Sequence, residues 1–133
     1  MDVTCLFYAD NNLIRATIGG AFYLTGAKTT FVQVLDEILQ HKAKKVLIDG
    51  RTITGNPKAV ERFFYGEFAA AAIAEVSERG LSHVPQFAYV LAEPVLDKHR
   101  LGETVAVNRG MNVKAFDNLD AAERWLGIEL SNG

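Results

Sequence analysis

The residues from 49 to 56 bring together side chains that could hold or accept a phosphate group. They offer a carboxylate, a guanidinium, two hydroxyls and an amide, on Asp49, Arg51, Thr52, Thr54 and Asn56. A phosphate on Thr52 or Thr54 would lie beside the start of a predicted helix, where free N–H groups and the helix dipole favour negative charge. The same residues also suit ordinary turn chemistry, and Asp49 with Arg51 would suit a simple ion pair. The sequence leaves both interpretations open.

Arginine and glutamate side chains on two predicted helices could form a second site, of the acid–base type. Its candidate members are Glu61, Arg62, Glu67, Arg100, Glu103 and Arg109. They would converge only if the two helices pack together, and no spacing in the sequence requires this. Arg100 and Glu103 lie on one helix face, where such a spacing supports surface ion pairs worth roughly 0.2–0.5 kcal/mol. We therefore expect structural pairing there rather than catalysis.

Metal and cofactor chemistry has no matching pattern in the chain. His41, His83 and His99 form no closely spaced pair, and the lone cysteine, Cys5, is distant from them in sequence. The chain also contains no glycine-rich phosphate loop, nucleophile elbow or dinucleotide fingerprint. We expect no metal, no cofactor and no enzymatic activity.

Three consecutive aromatic residues, Phe63, Phe64 and Tyr65, lie inside a predicted helix. Successive helical residues are about 100° apart, so the run covers roughly 200° of the helix surface, more than one core-facing stripe can bury. At least one ring should therefore line a pocket or meet a second subunit. Gly66 indicates close packing in the same turn, because glycine costs about 1 kcal/mol relative to alanine within a helix. The alanines at 69–72 would let another helix approach closely.

Hydrophobic periodicity predicts the element order ββαβαβαβα. Strands are predicted at Val3–Tyr8, Leu13–Ile18, Lys45–Asp49, Gln86–Ala92 and Val113–Phe116. Helices are predicted between Thr25 and His41, from Pro57 to about Arg79, from Asp97 to Arg109, and from Asp117 or Asn118 to Gly127. A hairpin followed by strand–helix units should give an α/β fold, a mixed β-sheet covered by helices.

The third predicted strand is the most informative one. Its apolar run from Val46 to Ile48 predicts a strand that is buried on both faces and therefore lies inside the sheet. Asp49 should end this strand, and Asn56 should cap the next helix, with Pro57 at its first position. Because ligand and partner sites in open α/β sheets lie at the carboxyl ends of strands, this segment marks a candidate working surface.

Composition sets limits on the class of protein. A chain of 133 residues that is 49% hydrophobic is expected to form one domain, residues 1–133. Its net charge of -2 differs from the basic balance of nucleic-acid-binding proteins. The longest apolar stretch, Phe68–Ala74, is far shorter than the roughly 20 residues that span a bilayer, and the N-terminus lacks the pattern of a secretory signal. We expect a cytoplasmic protein without nucleic-acid partners or membrane insertion.

The chain resembles the STAS-type fold of the anti-sigma-factor antagonists, and more closely the small, stand-alone SpoIIAA-like group of uncharacterised bacterial proteins. The resemblance covers nearly the whole chain. The segments that carry it are KKVLIDGRTITG, ERFFYGEF, RLGETVAVNRGMNV and DNLDAAERWL. The third of these segments is long and fairly specific, whereas the first is a general feature of α/β proteins.

The resemblance implies a non-catalytic protein-binding or regulatory module. In the anti-sigma-factor antagonists, a serine in an Asp-Ser-Ser-Gly turn is phosphorylated, which switches partner binding. Aligned on Gly55, this chain carries Ile53 at that serine position. A phosphoswitch would therefore have to use Thr52 or Thr54.

Two other functions remain open beside the regulatory one. The first is a carrier of a small apolar or lipid-like ligand, with Phe63, Phe64 and Tyr65 lining a pocket. The second is a small enzyme that uses the arginine and glutamate cluster. A closed apolar cavity beside the aromatic residues would favour the carrier over the protein-binding module. We also expect a homodimer that associates through part of the helix segment 63–72.

Overall fold

The computed structural model describes residues 1–129. Its strands are β1 Asp2–Tyr8, β2 Leu13–Ala21, β3 Lys45–Thr54, β4 Gln86–Leu91 and β5 Val113–Phe116. Its α-helices are α1 Leu24–His41, α2 Ala59–Gly80, α3 Leu101–Asn108 and α4 Leu119–Leu126. A short 3-10 turn, Ala9–Asn11, joins the first two strands. The predicted element order is confirmed.

The five strands form one mixed sheet in the order β1-β2-β3-β4-β5. β1 runs antiparallel to β2, and every later neighbour is parallel. β3 therefore lies in the centre of the sheet, as its apolar run predicted. The fold is α/β.

Helices cover both faces of the sheet, but unequally. Val46 and Ile48 of β3 pack into the larger core, which also contains side chains of α1, α2 and α3. Leu47 points to the opposite face and packs with Ala122 and Leu126 of α4. This alternation along a strand that is buried on both sides follows from the pleat. The larger core, on the side of α2 and α3, is where the candidate site lies.

The prediction that β3 ends at Asp49 is wrong. β3 continues to Thr54 because β2 is also longer than predicted and pairs with it beyond a register shift between Thr17 and Gly19. A Cβ atom on Gly19 would lie 2.7 Å from Oγ1 of Thr52, so a side chain at position 19 would require the Thr52 hydroxyl to move. The residues between Asp49 and Asn56, which were predicted to connect the strand to the next helix, are thus mostly strand. They extend β3 beyond Gly50, the last residue of β3 that pairs with β4.

Two helix starts also differ from the predictions. α2 begins at Ala59 with Lys58 as its N-cap, so neither Asn56 nor Pro57 has its predicted role. The backbone N–H of Lys58 donates to Oε1 of Glu61 at 2.8 Å, as in a capping box, which stabilises the first turn of the helix.

α3 also starts later than predicted, at Leu101, but the carboxylate of Asp97 still accepts a hydrogen bond from the backbone N–H of Leu101 at 3.2 Å. Asp97 therefore still accepts a hydrogen bond from the first residue of α3, although it lies four positions before that residue. Asn118 caps α4 as predicted, because its Oδ1 accepts from the backbone N–H of Ala121 at 2.8 Å.

Candidate ligand cavity

A largely apolar cavity of about 130 Å³ lies between the sheet and the helices α2 and α3. Its walls come from seven strands and helices, which are β2, α1, β3, α2, β4, α3 and β5, and from the segment after β4. Representative lining residues are Ile48, Tyr65, Ala69, Tyr89, Ala106 and Val113. Cavities of this size that are lined by apolar side chains hold a molecule such as benzene.

Small residues on the two helices create the cavity. Gly66 of α2 packs against the backbone of Gly102 of α3, so the two helices are held close together. Ala69 and Ala106, a turn further along each helix, then face the sheet with side chains too short to fill the space beneath them. Protein interiors are normally packed without voids larger than a water molecule. The cavity is therefore an unusual feature of this core.

Two tyrosines form the polar part of the cavity wall. Tyr65 extends from α2 and Tyr89 from β4, and their hydroxyl oxygens are 2.6 Å apart. The rings meet edge to face, with centroids 6.3 Å apart, and the ring of Phe31 contacts Tyr65 in the same way at 6.1 Å. This packing holds both hydroxyls in fixed positions on the cavity wall.

Both tyrosines are half-buried, and desolvation raises the pKa of each hydroxyl. Desolvation raises the pKa of Tyr65 to about 12, although its hydrogen bond with Tyr89 opposes the shift. Desolvation, and then the neighbouring Tyr65, raise the pKa of Tyr89 well above the usual value. Both groups are therefore O–H donors at physiological pH.

Charged residues also border the cavity, but their polar atoms are bound to the backbone. Arg62 donates to the carbonyl oxygens of Pro57, Pro94 and Val95, and it lies 3.5 Å from the carboxylate of Asp97. These bonds fix the segment after β4 against α2. The arrangement positions one wall of the cavity.

Arg100 and Glu103 attach α3 to the sheet in the same manner. Arg100 donates to the carbonyl oxygen of Ala115, and the carboxylate of Glu103 accepts from the backbone N–H of the same residue at 2.6 Å. Both side chains thus bond the backbone of β5. They hold α3 over the cavity.

The predicted arginine and glutamate cluster is divided between two places. Arg62, Arg100 and Glu103 border the cavity, whereas Glu67 and Arg109 do not. Glu67 and Arg109 form a 2.9 Å ion pair on the surface, with side chains 45% and 41% exposed. Such a pair contributes little to stability. A second glutamate–arginine ion pair, Glu75–Arg79, is exposed on α2 in the same way, with side chains 61% and 75% exposed.

The three consecutive aromatics have three different environments. Tyr65 lines the cavity, Phe63 lies under the guanidinium of Arg109 at 5.3 Å, and Phe64 is 44% exposed. One ring leaves the core, as the width of the arc predicted, but the predicted pocket uses only Tyr65. Sequence analysis missed Tyr89. The available signal was a hydroxyl-bearing residue inside an apolar strand, since a buried tyrosine usually has a hydrogen-bond partner.

The candidate phosphate-handling residues do not converge on a vacant binding site. The carboxylate of Asp49 accepts from Nε and Nη2 of Arg51, at 2.9 and 2.8 Å, and from Nη2 of Arg15 at 3.1 Å. The hydrogen bonds from Arg51 lower the pKa of Asp49 despite its burial. The ion-pair interpretation of Asp49 and Arg51 is therefore the observed one, and Arg15 is a third member that sequence analysis missed.

The two threonines and Asn56 are exposed. The hydroxyl of Thr52 is 3.5 Å from the carbonyl oxygen of Ile18, within the β2–β3 pairing, while Oδ1 of Asn56 is 3.4 Å from Nη2 of Arg62. Thr54 takes part in the sheet through its backbone, whose carbonyl accepts from Phe22 at 2.9 Å. A phosphate on either threonine would thus extend from a strand rather than from a loop.

Metal sites and membrane-spanning helices are the remaining features to consider. Among residues 1–129, no group of histidine, cysteine, aspartate and glutamate side chains has an arrangement that could hold a metal ion. Over the same residues, none of the helices combines the length and apolar character needed to cross a membrane.

Comparison with known proteins leaves the resemblance to the SpoIIAA-like group as a prediction. No protein-family model matches the chain, and no curated protein matches it at a significant level. The function is therefore inferred from the geometry of the cavity.

Proposed function

We propose that this protein is a non-catalytic module that binds a small, largely apolar ligand in the cavity between α2, α3 and the sheet. The observation that carries the proposal is the 130 Å³ cavity with its apolar lining and its pair of tyrosine hydroxyls. Of the functions that the sequence leaves open, this corresponds to the carrier. It is also compatible with a regulatory module whose partner binding depends on the ligand.

The energetic cost of the cavity supports this proposal. The cavity is partly open to solvent, so the roughly 3 kcal/mol that an enclosed cavity of this volume would cost relative to a filled core, at about 24 cal/mol per Å³, is an upper bound. A larger side chain at Ala69 or Ala106 would fill part of the space. Proteins keep such costs mainly where function requires them, because stabilising substitutions are otherwise easy to find.

The size of the cavity limits the ligand. A small ligand gains at most about 1.5 kcal/mol per non-hydrogen atom, so a benzene-sized group should bind with a dissociation constant in the micromolar to millimolar range. A larger ligand would have to place only one end inside.

Cavity filling provides the experiment. Toluene should stabilise the wild-type protein, by about 1.4 kcal/mol at ten times its dissociation constant. Ala69→Leu, which replaces a cavity-lining residue that is 2% exposed, should abolish this stabilisation. Ala71→Leu, on the exposed side of the same helix, is the matched control and should retain it. Equal stabilisation of all three proteins would refute the cavity as the binding site.

Protein association is a second candidate function, and one specific observation favours it. Val60 and Phe64 lie four residues apart on one face of α2 and are 53% and 44% exposed. Residues at this spacing are neighbours on a helix surface. We propose that a second copy of the chain docks on this Val60–Phe64 face. Tyr65, in the same helix segment, faces the cavity instead.

A further inference from the structure

The Tyr65 and Tyr89 hydroxyls contain one more O–H donor than their mutual hydrogen bond uses. Each phenol has a single proton, and in a 2.6 Å contact one hydroxyl donates and the other accepts. The accepting hydroxyl still has its own proton. Whichever tyrosine donates within the pair, one O–H therefore remains for another acceptor.

The protein supplies no such acceptor in the part of the chain that the structure describes. Neither hydroxyl has a hydrogen bond to any atom of residues 1–129 except to the other hydroxyl. Both tyrosines line the same apolar cavity. A donor held in an apolar wall without a protein acceptor costs free energy, so the remaining O–H of these half-buried tyrosines is a binding determinant for whatever enters the cavity.

We propose that the cavity selects an apolar ligand that carries one neutral hydrogen-bond acceptor, a ketone or ester carbonyl, seated against the Tyr65–Tyr89 hydroxyl pair. This inference rests on the proposed function, since it requires that the cavity takes a ligand. The ligand would therefore be a ketone or an ester, and Tyr89 would be a residue that determines specificity.

The electrostatics of the cavity favour a neutral carbonyl over a carboxylate. Burying an anion requires a counter-charge, and the two arginines that border the cavity, Arg62 and Arg100, are balanced there by two carboxylates, Asp97 and Glu103. The tyrosines themselves remain neutral. A phenol that already accepts a hydrogen bond is also a better donor, because chains of hydrogen bonds polarise one another.

A matched pair of small ligands tests the inference. Cyclopentanone and methylenecyclopentane have nearly the same shape and differ in whether the exocyclic atom is an oxygen or a CH₂ group. Their dissociation constants are measured by amide chemical-shift titration on the wild-type protein and on Tyr65→Phe/Tyr89→Phe. The double variant keeps the rings and removes both hydroxyls, and replacing both partners of a hydrogen bond by groups of the same shape is nearly neutral for folding.

The expected result is a change in the ratio of the two affinities. The preference for the ketone over the alkene should be about tenfold greater in the wild-type protein than in the double variant, the value of one net hydrogen bond. The ¹³C resonance of the bound ketone carbonyl should lie further downfield in the wild-type protein than in the double variant, which offers the carbonyl no O–H donor. Tyr8→Phe, on the opposite face of the sheet, is the control and should leave the ratio unchanged.

The other outcomes separate this inference from the proposed function. If both ligands bind with the same affinity ratio to both proteins, the cavity is a binding site and the role of the hydroxyl pair is refuted. If neither ligand binds to the wild-type protein, the proposed function fails as well. If the double variant is unfolded, the ¹³C resonance of cyclopentanone bound to the wild-type protein decides. A carbonyl resonance downfield of its value in cyclohexane shows a hydrogen-bond donor, and a resonance equal to that value would overturn the proposal.

Discussion

Gly66 of α2 and the carbonyl oxygen of Gly102 of α3 are so close that a Cβ atom on Gly66 would lie 2.5 Å from that oxygen. Real Cβ atoms do not approach a backbone oxygen to this distance, so any side chain at position 66 must push the two helices apart. The contact sets the height of the cavity beneath the helices. The glycine predicted to mark close packing is confirmed in that role.

Gly66→Ala should therefore destabilise the protein by about 1–3 kcal/mol, the usual cost of forcing extra atoms into a packed contact. Gly80→Ala is the matched control in the same helix, because a Cβ atom there would lie an ordinary 3.4 Å from Cδ2 of Leu39. It should be neutral or slightly stabilising. Urea unfolding measures both. Equal stability of the two variants would contradict the close contact between α2 and α3.

The buried tyrosine pair predicts a loss of stability at alkaline pH. The pKa of Tyr65 is raised to about 12 in the folded state, while an unfolded tyrosine ionises near pH 10. Between these two values the folded protein binds more protons than the unfolded one, so the free energy of unfolding falls as pH rises. Tyr89 contributes in the same direction. Unfolding measured at about pH 9 and pH 11 should show a smaller decrease in Tyr65→Phe/Tyr89→Phe. The same decrease in both proteins would mean that these hydroxyls are not desolvated.

The lowered pKa of Asp49 predicts a loss of stability at acid pH. Its folded pKa is lowered, first by the hydrogen bonds from Arg51, so the stability it contributes is present above the unfolded value and is lost as pH falls through the folded value. Asp49→Asn should lower stability by about 1 kcal/mol at neutral pH and flatten this acid dependence. Asp36→Asn, an exposed carboxylate on α1, is the control. If both variants follow the wild-type acid profile, the Asp49 ion pairs do not contribute to stability.

The Val60–Phe64 face predicts self-association that can be tested apart from the cavity. Sedimentation at micromolar concentration should show a dimer, and Phe64→Glu should shift it toward monomer because it places a charge in an apolar contact. Val84→Glu is a control with a comparably exposed residue, at 56%, located outside the helices. A wild-type monomer, or a dimer that is insensitive to Phe64→Glu, would rule out this face as the dimer interface.

The parts of this fold that the sequence predicted depend on local signals. Periodicity at Phe31, Val34 and Ile38 indicated α1, and the apolar run Val46–Ile48 indicated the central strand. Both patterns can be recognised in residues that are close together in the sequence. The capping residue Asn118 is likewise a signal that lies within one turn of the helix it starts.

The parts that the sequence did not predict depend on distant partners. The extension of β3 to Thr54 requires pairing with β2 across a register shift, and local polar composition argued against it. Tyr89 became a site residue only because α2 places Tyr65 within hydrogen-bond distance of it. Arg15 pairs with Asp49 across neighbouring strands, at a separation that no sequence spacing reveals.

The most direct test of the ligand cavity is a crystal structure of the wild-type protein soaked with benzene or pressurised with xenon, both of which enter dry apolar cavities. We expect electron density for the probe beside Tyr65, Tyr89 and Ala106, and none at that position in Ala69→Leu. A wild-type structure in which side chains fill this space, or in which the probe binds elsewhere and leaves it empty, would refute the ligand cavity.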